Sequence, residues 1–213
     1  MGAPPQAPRK GRKYDDVLAG AREVFLAQGF EGASVDDIAR ASGVSKATLY
    51  SYFPDKRLMF LEVAKAECCR QVLGAESKIS PHVKLQQALL IAAVTLVEFF
   101  TSDFYLRMFR VVVAESERFP ELGRQFYETG PAMARDRMVE YLKEAEARGE
   151  VQIEDKALAA DMFGEMCRAD LFNRLLFGIS DTVSQAQKDR IANGAVAMFL
   201  ARYRPEKPCH VSP

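Results

Sequence analysis

Between positions 45 and 52 the chain reads Ser-Lys-Ala-Thr-Leu-Tyr-Ser-Tyr. Ser45, Lys46, Thr48, Tyr50, Ser51 and Tyr52 end in a hydroxyl or an ammonium. Wound as a helix, they share an outward polar face while Leu49 and Phe53 turn inward. Hydroxyls donate and accept hydrogen bonds. An ammonium reaches guanine acceptors or phosphate oxygens, and the methyl of Ala47 or Thr48 can pack on thymine. A helix lying in a DNA major groove needs side chains of this kind. Catalysis has no comparable set. The only histidines are His82 and His210. No Ser-His-Asp arrangement, glycine-rich phosphate loop or metal-ligand spacing accompanies them. No catalytic residue, metal or cofactor is expected.

The elements that must hold this face lie in Ser34 to Lys56, SVDDIARASGVSKATLYSYFPDK. Ser34 with Asp37 three residues on forms a capping box, with Asp in place of Glu, for a helix from Val35 to Ser42. Gly43 supplies a tight turn. The next helix starts after Ser45 and ends near Phe53, because Pro54 forbids easy continuation. Two short helices around such a turn make a helix-turn-helix. Ile38, Ala39, Val44, Leu49 and Phe53 can close over Phe25 and Phe30 of a first helix from about Tyr14 to Gln28, which Gly29 ends in a left-handed turn. Ala39 and Ser42 are small, which lets crossing helices approach. Residues 1–13 read as a flexible arm, where Arg9, Lys10, Arg12 and Lys13 could touch a nucleic acid backbone. Asp55 can cap a fourth helix from Lys56 to about Ser77.

Of the 213 residues, 48% are hydrophobic and 27% charged, enough apolar material for a core. Lys+Arg and Asp+Glu are both 29. That balance excludes a strongly basic coat protein but allows a local basic surface. Four cysteines, at 68, 69, 167 and 209, show no disulfide spacing. The longest apolar stretch, Ala88 to Val97, is far short of the roughly 20 residues that cross a membrane. The N-terminus lacks the apolar core of a signal peptide. The expectation is a soluble protein of a reducing cytoplasm, with no membrane partner.

No stretch alternates with period two, so the predicted fold is all-α with about nine helices. Later helices are predicted from Ser80-Pro81 to Phe100, from Asp103 to Arg118, and then to Arg148 with an interruption at Gly130-Pro131. The last two run from Asp155 to Phe177 and from Ser184, with a Gln187 capping box, to Tyr203. The domain reading is an arm over 1–13, a three-helix helix-turn-helix domain over 14–60, a larger helical domain over 61–204, and a tail over 205–213.

The order Phe25…Gly29-Phe30, Ser34…Ile38-Ala39, Gly43-Val44-Ser45, Leu49-Tyr50-Ser51-Tyr52-Phe53 and Lys56 resembles the TetR/AcrR family of bacterial transcriptional regulators. It departs little: Ser34 stands for the commoner Thr, and Pro54 is less usual. The resemblance implies a DNA-binding set of Ser34, Ser45, Lys46, Ala47, Thr48, Tyr50, Tyr52 and Lys56. Ser34 and Tyr50 would bind phosphate oxygens. Lys56 would do so with its ammonium and backbone amide. Lys46, Ala47, Thr48 and Tyr52 would face the groove, with base contacts from Lys46 and Thr48. Asp36 and Asp37 are awkward beside phosphate, and helix capping is their simplest explanation.

Residues 109–151 resemble the AefR-like subgroup of C-terminal domains, which implies effector binding and dimer formation. Phe, Tyr and Met crowd this half. An adaptable pocket is expected from Cys69, Phe100, Phe104, Tyr105, Met108, Val112, Phe126, Tyr127, Met138, Phe163 and Met166, with core packing the competing reading of each. Glu98, Arg107, Arg110, Glu165 and Arg168 are possible polar handles. Leu158, Phe172, Leu176, Ile191, Ala195 and Met198 are expected at a two-fold helical interface, with Gly194 permitting close approach. The whole reads as a regulator, a repressor that binds double-stranded palindromic operator DNA as a homodimer and is released by a small apolar or amphipathic effector. The alternatives are a thiol redox-sensing regulator using Cys68, Cys69 or Cys167, and a helical protein that binds no DNA.

Overall fold

The computed structural model describes residues 11–76 and 83–205. All regular structure among them is helical: α1 (Arg12–Gly32), α2 (Val35–Ala41), α3 (Lys46–Tyr52), α4 (Lys56–Glu76), α5 (Leu85–Phe100), α6 (Asp103–Glu115), α7 (Pro120–Tyr127), α8 (Met133–Ala147), α9 (Lys156–Met166), α10 (Leu171–Leu176) and α11 (Gln185–Tyr203). A π-helical turn, Glu128–Ala132, contains Pro131 between α7 and α8. The all-α expectation holds, with eleven α-helices among the described residues rather than about nine. One extra comes from a break in the helix expected over 155–177. Asp170 sits at φ 62°, in the left-handed region a non-glycine residue seldom adopts. Its carboxylate is held by Arg190 at 3.1 Å and Arg174 at 3.9 Å.

The arm is shorter than expected, since Arg12 and Lys13 already lie in the first turn of α1. Arg9 and Lys10, the cap at Ser80-Pro81, His82 and residues 206–213 lie outside the described residues. The fifth helix starts at Leu85, with Lys84 at its N-cap. No single helix among the described residues is long and apolar enough to cross a membrane.

The chain divides into two compact units that do not follow a boundary after residue 60. One takes residues up to 69 together with 103–129; the other takes 70–102 and 130 onward. In the first unit, Val17, Phe25, Ile38, Leu49 and Phe60 are almost fully buried. Phe60 lies edge-on to Phe25 and Phe30 at 5.0 and 5.1 Å. Burying each such side chain contributes about 1.5–3 kcal/mol. Phe104 packs on Phe60 at 6.4 Å, so α6 belongs to the core that supports the helix-turn-helix.

In the second unit, Leu89, Ala93, Leu142, Phe163 and Phe199 form one apolar core. This corrects the interface expectation in part. Ile191 and Ala195 lie in that core, and Phe172 is buried within the chain, so none of the three faces outward. Leu176 is half-buried. The exposed apolar residues of α9 to α11 and the connecting loop are Leu158, Met162, Phe177, Ile179 and Met198. Among the expected pocket residues, Phe163 is a core residue set edge-on to Phe199 at 5.4 Å. Phe104, Tyr105, Met108 and Val112 are buried in the first unit. Cys69, Phe100, Phe126, Met138 and Met166 are half-buried. Tyr127 is 50% exposed.

Candidate nucleic-acid interface

The local sequence builds the interface through its caps. Ser34 stands in extended conformation before α2, and its hydroxyl accepts from the Asp37 amide at 3.0 Å. The same hydroxyl donates to the Asp37 carboxylate at 2.7 Å, and Arg40 donates to it at 2.8 Å. Ser34 first, and Arg40 after it, hold the Asp37 carboxyl below the usual range. The cap itself is the Ser34 hydroxyl; the Asp37 carboxylate orients that hydroxyl instead of closing a full capping box on the Ser34 backbone amide. Asp36 does something else: its carboxylate pairs with the Lys46 ammonium on α3.

Gly43 turns the chain at φ 62°, and Val44 donates back to the Ala39 carbonyl at 3.1 Å. The close approach in this unit is made by Gly20 of α1 against Ser42. A Cβ built on Gly20 would lie 2.3 Å from the Ser42 hydroxyl and 2.5 Å from its backbone nitrogen. The Ser42 hydroxyl donates to the Ile38 carbonyl at 2.6 Å. Sequence reading picked out Ser42 and missed its partner. The available signal was a glycine inside an otherwise helical run.

Ser45 caps α3 by accepting from the Thr48 amide at 3.1 Å, and its hydroxyl lies 2.9 Å from that of Thr48. Leu49 is fully buried beneath, while Ser45, Lys46, Ala47, Tyr50 and Ser51 are exposed and Thr48 and Tyr52 half-buried. The outward polar face read from the sequence is thus present on a helix fixed at its start by its own cap. Its far end is fixed by Tyr14, which the sequence reading gave no role. The Tyr14 ring meets Tyr52 edge-on at 5.8 Å and Phe53 at 5.4 Å, and its hydroxyl donates to Glu62 of α4 at 2.8 Å. Burial, and then the Glu62 carboxylate, push the Tyr14 phenol well above its ordinary range. Tyr52 is accordingly a ring packed on one side by Tyr14 and half-buried.

Lys56 has a place the sequence did not foresee. Its ammonium donates to the carbonyls of Phe30 at 2.7 Å and Ala33 at 3.2 Å, and lies 4.4 Å from the Phe30 ring centre. It closes the corner after Gly29, which sits at φ 72°. Replacing Lys56 by Met keeps the stem and removes two hydrogen bonds of a charged donor, each worth about 1.5–3 kcal/mol. The expected outcome is a lower thermal midpoint in a calorimetric scan of the DNA-free protein. An unchanged midpoint would mean that this ammonium does not hold the corner. Next to it, Arg57 is bound by Asp55 at 2.9 Å and Glu115 at 3.5 Å, with its guanidinium 3.7 Å over Phe119. The start of α4 is thereby tied to the end of α6.

Burial pushes the thiols of Cys68 and Cys167 up to about 12, which leaves little thiolate at neutral pH. Among the described residues no group of His, Cys, Asp and Glu could hold a metal ion.

Residues 17–63 match the tetR family of bacterial regulatory proteins, and residues 87–205 match the C-terminal domain of AefR-like transcriptional repressors. A TetR-family transcriptional regulator from Mesorhizobium loti MAFF303099 has a similar structure, with a TM-score of 0.80 at 27% identity over 92% of this chain and 100% of that one. The flavonoid-responsive regulator FrrA gives a TM-score of 0.67 at 32% identity over 93% of this chain and all of its own. The transcriptional activator FasR of Mycolicibacterium smegmatis is 30% identical over 99 residues, which are 46% of this chain and 43% of FasR. The stretch matched in that curated relative is thus less than half its length. With the helix-turn-helix geometry, the polar face of α3 and matches in both halves, this chain belongs to the TetR family of bacterial transcriptional regulators.

Proposed function

We propose that the protein is a cytoplasmic, ligand-responsive repressor that binds a palindromic operator as a homodimer. One observation carries the reading. An outward helix face, with Lys46, Ala47 and Tyr50 exposed and Thr48 half-buried beside them, stands on a helix whose two ends are fixed by the Ser45 cap and by Tyr14. A recognition helix meets base edges with its leading residues, so Lys46 and Thr48 read bases. Tyr50 and the first turn of α2 meet phosphates. The exposed apolar residues Leu158, Met162, Met198, Phe177 and Ile179 supply the surface for a second copy. Repression is favoured by the AefR-like repressor match in the C-terminal half. FasR, an activator, makes the opposite sign an outcome to test.

The effector is a small apolar or amphipathic molecule, in keeping with the many Phe, Tyr and Met side chains of α5 to α9 and with the flavonoid response of FrrA. It releases the protein only if it prefers the conformation that does not fit DNA. A 100-fold preference corresponds to about 2.7 kcal/mol of coupling. The thiol-sensing alternative is disfavoured by the buried, high-pKa thiols of Cys68 and Cys167.

Fluorescence anisotropy with a selected genomic fragment tests the reading. Replacing Lys46 or Thr48 by Ala should cost roughly 1–3 kcal/mol on the operator and little on random DNA. Equal losses on both DNAs would place these two residues on the backbone instead of the bases.

A further inference from the structure

A carboxylate at the edge of a DNA-binding face is an electrostatic liability, because phosphates repel it whatever the sequence. Asp37 is explained by its place in the α2 cap. Asp36 is not in that cap, and its side chain remains 56% exposed. It lies against the ammonium of Lys46, itself 59% exposed and the first residue of α3. The ion pair joins the first turn of α2 to the leading end of the recognition helix. That end is where the most sequence-discriminating contacts are made.

We propose that Asp36 is a specificity-determining residue, which offsets the charge of Lys46 on random DNA and yields it only where base edges replace the carboxylate. The inference rests on the reading of α3 as a recognition helix.

The two partners of the ion pair meet opposite environments in the groove. An unpaired lysine at this position would bind any nearby phosphate and release a counterion, a gain independent of sequence. Paired with Asp36, it brings little net charge to the duplex. An exposed ion pair is weak enough to open, but opening it beside phosphates leaves a carboxylate in a strongly negative field. A base pair can compensate where guanine offers O6 and N7 to the ammonium, and where the amine of cytosine or adenine donates to the carboxylate. Random sequence supplies no such arrangement on average. The pair therefore lowers non-specific affinity more than operator affinity, and the ratio between them rises.

The test uses the full-length protein, its selected operator and a random duplex of equal length, titrated at several salt concentrations. Asp36→Asn keeps the side-chain shape and removes the charge. On random DNA it should bind about threefold to tenfold more tightly, with a salt slope steeper by roughly one unit. Operator affinity should rise less, so the specificity ratio falls. Asp36→Glu restores the charge and should return both values toward wild type. In a Lys46→Ala background the effect of Asp36→Asn should shrink, because Asp36 acts through that ammonium. An equal gain on both DNAs, or a full gain without Lys46, would overturn the proposal and leave Asp36 as a general repulsive charge. An unchanged salt slope would overturn it as well. If the wild-type protein binds no duplex selectively, the recognition-helix reading falls first and this inference with it.

Discussion

Replacing Gly20 by Ala is expected to destabilise the DNA-binding unit strongly and to abolish tight operator binding at physiological temperature. Helix propensity alone argues the other way, since Ala in a helix interior is favoured over Gly by about 1 kcal/mol. The steric effect wins because of what the new methyl meets. It would lie 2.3 Å from the Ser42 hydroxyl, 2.5 Å from the Ser42 backbone nitrogen and 2.8 Å from its Cα. A hydroxyl can rotate away, but backbone cannot move without shifting α2 off α1. Overpacking of this kind costs typically 1–3 kcal/mol, and more where backbone is involved. Removing the hydroxyl with Ser42→Ala should not rescue the variant, because the backbone contact stays. Thermal unfolding followed by circular dichroism reads the effect directly. A raised midpoint for Gly20→Ala would show that the two helices do not cross this closely.

Met198→Glu is expected to give a folded monomer that has lost most of its operator affinity. Met198 is 65% exposed on α11, so a charge there costs the isolated chain little. In an apolar interface between two copies the same charge would meet a desolvation penalty of several kcal/mol. Four further large apolar side chains are exposed on α9 and in the segment before α11. Leu158 and Met162 are each 49% exposed, and Phe177 and Ile179 are 72% and 67% exposed. Scattered single apolar residues on a surface need no explanation, but five large ones exposed on α9, on α11 and in the segment between α10 and α11 call for one. Sedimentation should show the monomer, and binding should fall because one recognition helix engages only one half-site. A variant that stays dimeric would move the interface elsewhere. Ala195→Glu cannot serve the same purpose. Ala195 is only 3% exposed within its own chain, so that substitution would damage the core.

These expectations differ in how far the sequence alone could reach them. Caps were legible, because a cap is a local pattern. Ser34, Ser45 and the Ser184–Gln187 box all stand where residue type and spacing put them. The outward face of α3 was legible for the same reason, since Leu49 and Phe53 mark the buried side of so short a helix. Contacts across long sequence separations were not. Nothing near Lys56 announces that its ammonium will meet carbonyls 26 and 23 residues earlier. Nothing near Tyr14 announces a hydrogen bond to Glu62.

Helical periodicity also could not decide which of two apolar sides of α11 faces inward. Ile191, Ala195 and Phe199 form one stripe and Gly194, Met198 and Ala201 another. The structure buries the first stripe and exposes the second. The break before α10 was hidden because Asp170 adopts a positive φ that nothing in the neighbouring sequence announces, and its arginine partner Arg190 lies 20 residues away.

The exposed face of α3 is expected to read DNA sequence from a two-fold pair of proteins. Selection of genomic DNA by the purified protein, followed by footprinting of the recovered fragments, tests it most directly. The expected result is one protected region with two inverted half-sites whose centres lie about one helical turn, or a multiple of it, apart. Footprints should weaken when Lys46 is replaced by Ala. Protection without a common sequence, or a single unpaired site unaffected by Lys46→Ala, would contradict it.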